Sequence, residues 1–335
     1  MFNLDWLNGY EIVYASELNS EVFINEKGNC RFCKRNEPEV SFRKLAHVVP
    51  DFLGNKYLFS VDECDACNQK FGNTIETDLA NFIGIHRTLT VIEGKKGVPK
   101  KHFQKERERV YLGKSNVLEF VSRESGSSIS LDKENKTVTV RSKKEPYYPF
   151  GVFKALMKVA LNIIPKEYLS EYSEALEWVQ EAHSNPIFIH PDLIQGFYTF
   201  IPGFNPFPDI NILIIKRLDF VHDMPYMIFR ICFKNFIYQI PLWRGTKDIP
   251  LIGERHGKIS MKLIPNYHDY CGRKQLFGSS RSKLIKLGGH EKIFSEEESF
   301  EFSFDEMQPV EINGMTINNK DEVEYGKISK INNKY

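Results

Sequence analysis

Four cysteines, Cys30, Cys33, Cys64 and Cys67, fall into two Cys-x-x-Cys pairs separated by one stretch of chain. Two residues between thiolates let a tight turn present both sulfurs to one ion. Two such knuckles complete a tetrahedral site of the closed, structural kind that zinc occupies. Four thiolates saturate the ion, so this zinc should hold the fold and not touch substrate. Two redox dithiols or a set of buried free thiols are the alternatives, and neither accounts for two matched pairs. Between the pairs stands His47, within Leu45-Ala46-His47-Val48-Val49-Pro50, and directly after the second pair stands Asn68.

The elements that must position these residues follow from local pattern. A short β segment ending at Pro50 puts His47 at its centre, with Val48 and Val49 packed around it. Gly54-Asn55 is a turn signal, and Tyr57 to Val61 can pair back as a second strand. After Cys67, the residues Phe71, Ile75, Leu79 and Phe82 or Ile83 recur at helical spacing, which predicts a helix over 68–83 with one buried face. Ahead of the cysteines, Tyr10 to Tyr14 alternates as a strand, expected to be a lead-in that packs against the module.

The order CxxC, xHxxP, CxxCN and helix resembles the HNH endonuclease superfamily, with a four-cysteine zinc similar to that of the endonuclease VII group. More closely, FRKLAHVVPDFLGNK with ECDACNQKFGNTIETDLANF resembles stand-alone bacterial HNH proteins. The resemblance covers roughly residues 25–95. It implies a ββα-metal fold and metal-dependent hydrolysis of DNA, with RNA left open as a substrate and a role in defence against foreign DNA suggested. The family's general base falls on His47, where a neutral imidazole can take the proton of an attacking water. The family's central Asn falls on Asn68, whose side-chain oxygen can ligate a catalytic magnesium or other divalent cation, or whose amide can orient the histidine strand. The plainer readings are a satisfied core histidine and a helix N-cap.

The sequence departs from the superfamily at two frequent ligand positions, occupied here by Ala46 and Gly72. A hard cation takes oxygen ligands, and the nearest carboxylates in sequence are Asp51, Glu76 and Asp78. Glu76 joins Asn68 as candidate ligand, although on a continuous helix their spacing is a rise of roughly 12 Å.

From Ile83 to Arg109 the chain turns basic, with His86, Arg87, Lys95, Lys96, Lys100, Lys101, Lys105 and Arg107 among the residues. Cations beside a cleft that cuts a polyanion would position phosphates, and Arg87, Lys95, Lys96, Lys100 and Lys101 are the candidates. A solvated linker marked by Gly94, Gly97 and Pro99 is the competing reading. Such local patches are needed because 45 Lys plus Arg oppose 44 Asp plus Glu, so no global charge advertises nucleic-acid binding. The first residues lack the basic start and apolar core of a signal peptide, and no run approaches the roughly 18 apolar residues of a membrane span. A cytoplasmic, reducing setting is therefore expected, in which paired cysteines bind metal.

At 335 residues the chain is long enough for two domains. Residues 1–109 are expected to form the zinc-stapled module with its basic linker, and 110–335 a larger α+β domain with a mostly antiparallel sheet. Short strands are predicted near 110–112, 117–121, 129–131 and 137–141, and helices over 150–164 and 167–183. Strands follow at 187–189, 197–201, 211–216, 226–233 and 236–242. Target binding, sensing or homodimer formation are the roles open to this part. Its aromatic residues, Phe204 among them, read first as core. The basic stretch from Arg255 to Lys292 reads as a DNA-contacting or merely solvated loop, and the acid-rich end from Glu296 as a peripheral strand and tail. Two functions stand side by side: a metal-dependent endonuclease, and a zinc-stabilised nucleic-acid-binding or adaptor protein that has lost catalysis.

Overall fold

The computed structural model describes residues 7–103, 108–113, 117–123, 128–132, 134–181, 190–203, 205–218, 224–244, 248, 261, 263–265 and 280–304, with short strand segments up to residue 332. Lys105, Arg107, Phe204, the strand expected at 187–189 and most of the basic stretch from 255 lie outside the described residues. Strands β1 (Tyr10–Leu18), β2 (Val22–Ile24), β3 (Ala46–His47) and β4 (Leu58–Ser60) lead into helices α1 (Asp65–Asn73), α2 (Ile75–Ile83) and α3 (His86–Leu89). Next come β5 (Lys101–Phe103), β6 (Glu108–Leu112), β7 (Leu118–Arg123), β8 (Ile129–Asp132) and β9 (Thr137–Lys143). Helices α4 (Pro149–Ile163), α5 (Lys166–Leu169) and α6 (Ser173–Trp178) separate these from β10 (Gln195–Phe200), β11 (Phe207–Arg217), β12 (Met227–Lys234) and β13 (Phe236–Leu242). Further along the chain lie β14 (Arg281–Lys286) and β15 (Glu297–Phe304). The fold is α+β, and among the described residues every strand pairing is antiparallel except β2 with β4.

The largest sheet runs β1-β11-β12-β13-β10-β14. Its central strands β12 and β13 are buried almost throughout, which fits their mostly apolar runs, interrupted by Arg230 and Gln239. The first strand does not serve the cysteine module alone, as its position in the chain suggested. It joins this sheet at the edge, from Tyr10 opposite Arg217 to Leu18 opposite Ile210. One core cluster runs from Cys30, Cys64 and Cys67 through α2 and α4 to Phe229, Ile231 and Tyr238. A second holds Ile85, just before α3, and Leu89 at its end against Val110, Phe120, Val140, Phe300 and Phe302. Among the described residues no helix is long and apolar enough to cross a membrane.

Two expected helices are broken. In place of one helix over 68–83, α1 starts at Asp65 and stops at Asn73, and α2 restarts after Thr74, whose φ of −123° and ψ of −97° are not helical. The Thr74 hydroxyl donates to Lys70 O at 2.7 Å and the Thr77 hydroxyl to Gly72 O at 2.8 Å. These side chains take carbonyls near the end of α1, which is how threonine competes with helix continuation. The stretch from 167 divides likewise into α5, a 3-10 turn over Ser170–Tyr172 and α6, with Tyr172 fully buried in the core.

The helix α4 is buried along its whole length, with Pro149 in its first turn. Its start is fixed by Asp78 of α2, whose Oδ1 accepts from Tyr148 N at 3.0 Å. A Cβ at Gly151 would lie 1.9 Å from Asp78 Oδ2, so only glycine permits this approach of α2 and α4.

The turn between β3 and β4 depends on Asn55, which is buried and uses its whole amide. Its Nδ2 donates to Val49 O and Leu58 O at 2.8 and 2.9 Å, and its Oδ1 accepts from Tyr57 N and Leu58 N at 3.0 and 2.9 Å. Asn55→Ala strands these backbone groups, and the unfolding free energy is expected to fall by about 2–3 kcal/mol. Urea denaturation measures it. A loss under about 0.5 kcal/mol, the usual effect of a surface change, would mean that the turn holds without the amide.

Candidate active site

Cys30 and Cys33 lie on a tight knuckle in which Lys34 N donates to Cys30 O at 2.9 Å, with Lys34 in the left-handed region at φ 63°. Cys64 is the N-cap residue of α1, and Cys67 lies in its first turn. The four sulfurs lie within 4.8 Å of one another. With Zn–S bonds of roughly 2.3 Å, a tetrahedron has S–S edges of about 3.8 Å, and Cys33 Sγ is 3.8 Å from Cys64 Sγ. Crowding sets the thiols against each other. The hydrogen bond from Cys67 holds Cys30 down to about 4, while burial pushes Cys64 up to about 11 and the hydrogen bond with Cys30, with burial, pushes Cys67 higher. Such a donor set fits a single zinc ion.

His47 sits on β3 opposite Phe59 of β4, with the two rings 4.8 Å apart. Burial holds the imidazole below its ordinary 6.5, with Asp51 and Glu76 pulling against this and Lys56 and Lys158 adding to it. The ring is therefore neutral at pH 7. Its Nδ1 is buried and has no hydrogen-bond partner among the described residues. Asn68 is not the N-cap, which is Cys64. It lies inside α1, where its backbone amide donates to Cys64 O at 2.9 Å, and its half-buried side chain makes no hydrogen bond among the described residues.

Each carboxylate considered as a further oxygen donor has a partner. Asp78 caps α4. Asp51 accepts from Lys56 Nζ at 2.7 Å and from the Lys95 backbone amide. Glu76, at the start of α2 and separated from Asn68 by the break at Thr74, accepts from Lys158 Nζ at 3.1 Å through Oε1.

Lys158 of α4 is the residue that local periodicity did not bring forward. Its side chain is fully buried, and its ammonium meets Glu63 Oε2 at 3.0 Å, Glu76 Oε1 at 3.1 Å and the His47 carbonyl at 3.4 Å. Burial lowers its pKa, but the two carboxylates more than offset this and leave it raised, so Lys158 is charged. Glu63, fully buried, also accepts from Asn162 Nδ2 at 3.1 Å. Burial pushes its carboxyl up against the pull of Lys158. The signal was present in the sequence: Lys154, Lys158 and Asn162 recur every fourth position on an otherwise apolar helix, which puts them on one face. At the far end of α4, Arg31 of the first knuckle donates to Leu161 O and Ile164 O at 3.1 and 3.2 Å, and pairs with Asp62 at 2.8 Å. A cation there complements the helix C-terminus.

The expected basic surface divides. Arg87 is half-buried, donates Nε to Phe52 O at 3.1 Å and lies over the Phe52 ring at 5.2 Å. Lys95, Lys96 and Lys100 are exposed, and Lys101 pairs with Glu145 at 3.4 Å. The Asp51–Lys95 bond and the Arg87–Phe52 contact tie the turn around Gly94–Gly97 to the segment that follows His47. His86 does not belong to this surface. It is buried, its Nδ1 bonds Ile83 O at 2.8 Å, and burial takes its pKa down to about 4. Two exposed cations were passed over, Arg43 and Lys44, whose backbone amides bond the Asp65 carboxylate at 2.9–3.1 Å just ahead of β3.

A strand pair carrying a histidine, then a helix, beside a four-cysteine cluster is similar to the ββα-metal arrangement of HNH nucleases. Residues 30–82 match a family model described as HNH endonuclease, and the match lies between β1 and the other strands of the larger sheets. No curated protein and no solved structure matches the chain.

Proposed function

We propose that the protein is a metal-dependent endonuclease that hydrolyses DNA phosphodiester bonds, with His47 as general base. The observation that carries this is the state of His47: a half-buried imidazole on β3 that burial keeps neutral at pH 7. In hydrolysis His47 takes the proton of the attacking water as the new O–P bond forms and the bond to the 3′-oxygen breaks. The Asn68 side-chain oxygen and the second oxygen of Glu76 would hold a divalent cation, since Oε1 of Glu76 is held by Lys158. Magnesium or a similar cation would polarise the phosphate and stabilise the leaving oxygen. Lys95, Lys96 and Lys100 hold flanking phosphates, and Arg87 braces the segment beside them.

A second reading, a nucleic-acid-binding module without catalysis, is favoured by fully buried Ala46, which offers no ligand, and by the neutralisation of Glu76 by Lys158. One experiment separates the two: incubation with plasmid DNA and short RNA in magnesium, manganese, nickel or no added cation, beside His47→Ala. Cutting by the native protein and a loss of about 100-fold or more in His47→Ala is expected. The lowered His47 pKa also places the acid limb of kcat/KM below pH 6.5, because the base is lost only when the ring protonates. Unchanged cutting by His47→Ala sinks the assignment, and binding without cutting selects the second reading.

A further inference from the structure

The small sheet β2-β4-β3 has two unlike faces. One carries Ala46, Leu58 and Ser60, all buried in the core. On the other, Phe23, Phe59 and His47 are direct register partners across the three strands. Their rings follow one another: Phe23 stacks on Phe59 at 5.4 Å and 25°, and Phe59 lies 4.8 Å from His47. The row ends on the edge strand β2, where Phe23 is 52% exposed. Exposed Leu45 and Tyr57 extend the apolar surface around it. Two inter-strand spacings separate the outer ring from the histidine strand, about 10 Å in all.

An exposed flat ring in line with the proposed general base has one occupant that suits it. Every nucleobase presents a π-face, and stacking on aromatic side chains is largely independent of sequence. A base paired within a duplex hides that face, and an unpaired base offers it. Arg43 and Lys44, exposed four and three residues before His47, supply the charge that a phosphate backbone near this sheet requires. We propose that Phe23 is a stacking platform for an unpaired base of the substrate strand, so that the substrate is single-stranded or locally unpaired DNA. This rests on the nuclease reading for the role of His47, whereas the stacking itself does not.

The test is the affinity of the full chain for one fluorescent oligodeoxynucleotide, offered as single strand and as duplex, without added divalent cation. Phe23→Ala is expected to weaken single-strand binding about tenfold and to leave duplex binding unchanged, with Phe23→Trp restoring the single strand. Phe23→Leu keeps an apolar cover on Phe59 but removes the flat face, so it should lose the same affinity even if the alanine variant folds poorly. An equal loss on both forms of DNA, or no loss on the single strand in either variant, overturns the platform. Cleavage assayed separately with magnesium or manganese reports on the nuclease. Phe23-dependent single-strand binding in a protein that cuts nothing removes the nuclease reading and retains the platform. Cutting with Phe23-independent binding does the reverse.

Discussion

Removal of metal from the four-cysteine cluster is expected to unfold the module over residues 30–83. Cys30, Cys64 and Cys67 belong to the same buried cluster as Phe71, Leu79 and the helix α4, so the sulfurs are part of the core. Without a cation, four sulfurs packed within 4.8 Å cannot all ionise, and the thiols that stay protonated leave the cluster without the ion that binds them together. Structural zinc contributes about 10 kcal/mol or more to small modules that fold around it. Here packing against α4 offsets part of the loss, and a chelator strong enough to extract the ion should still abolish hydrogen-exchange protection of β3, β4 and α1. Re-addition of zinc should restore it, and Cys67→Ser should mimic the extracted state. Full protection in protein shown to be metal-free would end the structural role of the cluster.

Lys158→Met is expected to lower the unfolding free energy by about 3–5 kcal/mol, the range for leaving a buried charge without its partner. Three groups lose a donor at once: Glu63, Glu76 and the His47 carbonyl. The pH dependence identifies the cause. Burial already raises the Glu63 carboxyl above its ordinary 4.5, so the folded state binds that proton more tightly than the unfolded chain. Between the unfolded and folded values the unfolded state holds fewer protons, and stability falls as pH rises. Loss of Lys158 widens that window upward, so the variant should be closest to the native protein near pH 4.5 and fall further behind as pH increases. Glu63→Gln in the same background should recover part of the loss, because an amide needs no cation. Urea denaturation across pH measures both, and a deficit independent of pH would point to packing around Lys158 and not to charge.

The legible parts of the chain are those set by neighbours in sequence. Cys-x-x-Cys spacing is a local constraint, as is the apolar repeat of α4, and each survives into the structure, whereas the segment expected to run to Pro50 with His47 at its centre is a strand only over Ala46–His47. The helix break at Thr74 was hidden because Phe71, Ile75 and Leu79 keep helical spacing across it, while the side-chain bonds of Thr74 and Thr77 decide the geometry. The hub at Lys158 was missed for a related reason. A search for an apolar face passes over the polar stripe beside it, and a buried lysine is explained only by Glu63 and Glu76, roughly 80 to 95 residues earlier. Arg87 was legible as a cation but not as a brace, since its contact with Phe52 depends on the turn that brings the two together. The pairing of β1 with β11 has no local signature, because alternation identifies a strand and not its partner.

That pairing has a consequence in time. β1 is made roughly 200 residues before the strand it joins, and at roughly 5–20 residues per second this is on the order of 10–40 s of synthesis. All four cysteines emerge within the first part of that interval and can take up their ion, while β1 waits with its backbone unpaired. An unpaired strand is a template for the wrong partner, and charge is the usual protection. Glu11 and Glu17 carry that charge within YEIVYASEL, and after folding Glu11 meets Lys216 at 2.6 Å. The side chain that guards the nascent strand thus becomes the one that fastens it to the finished sheet.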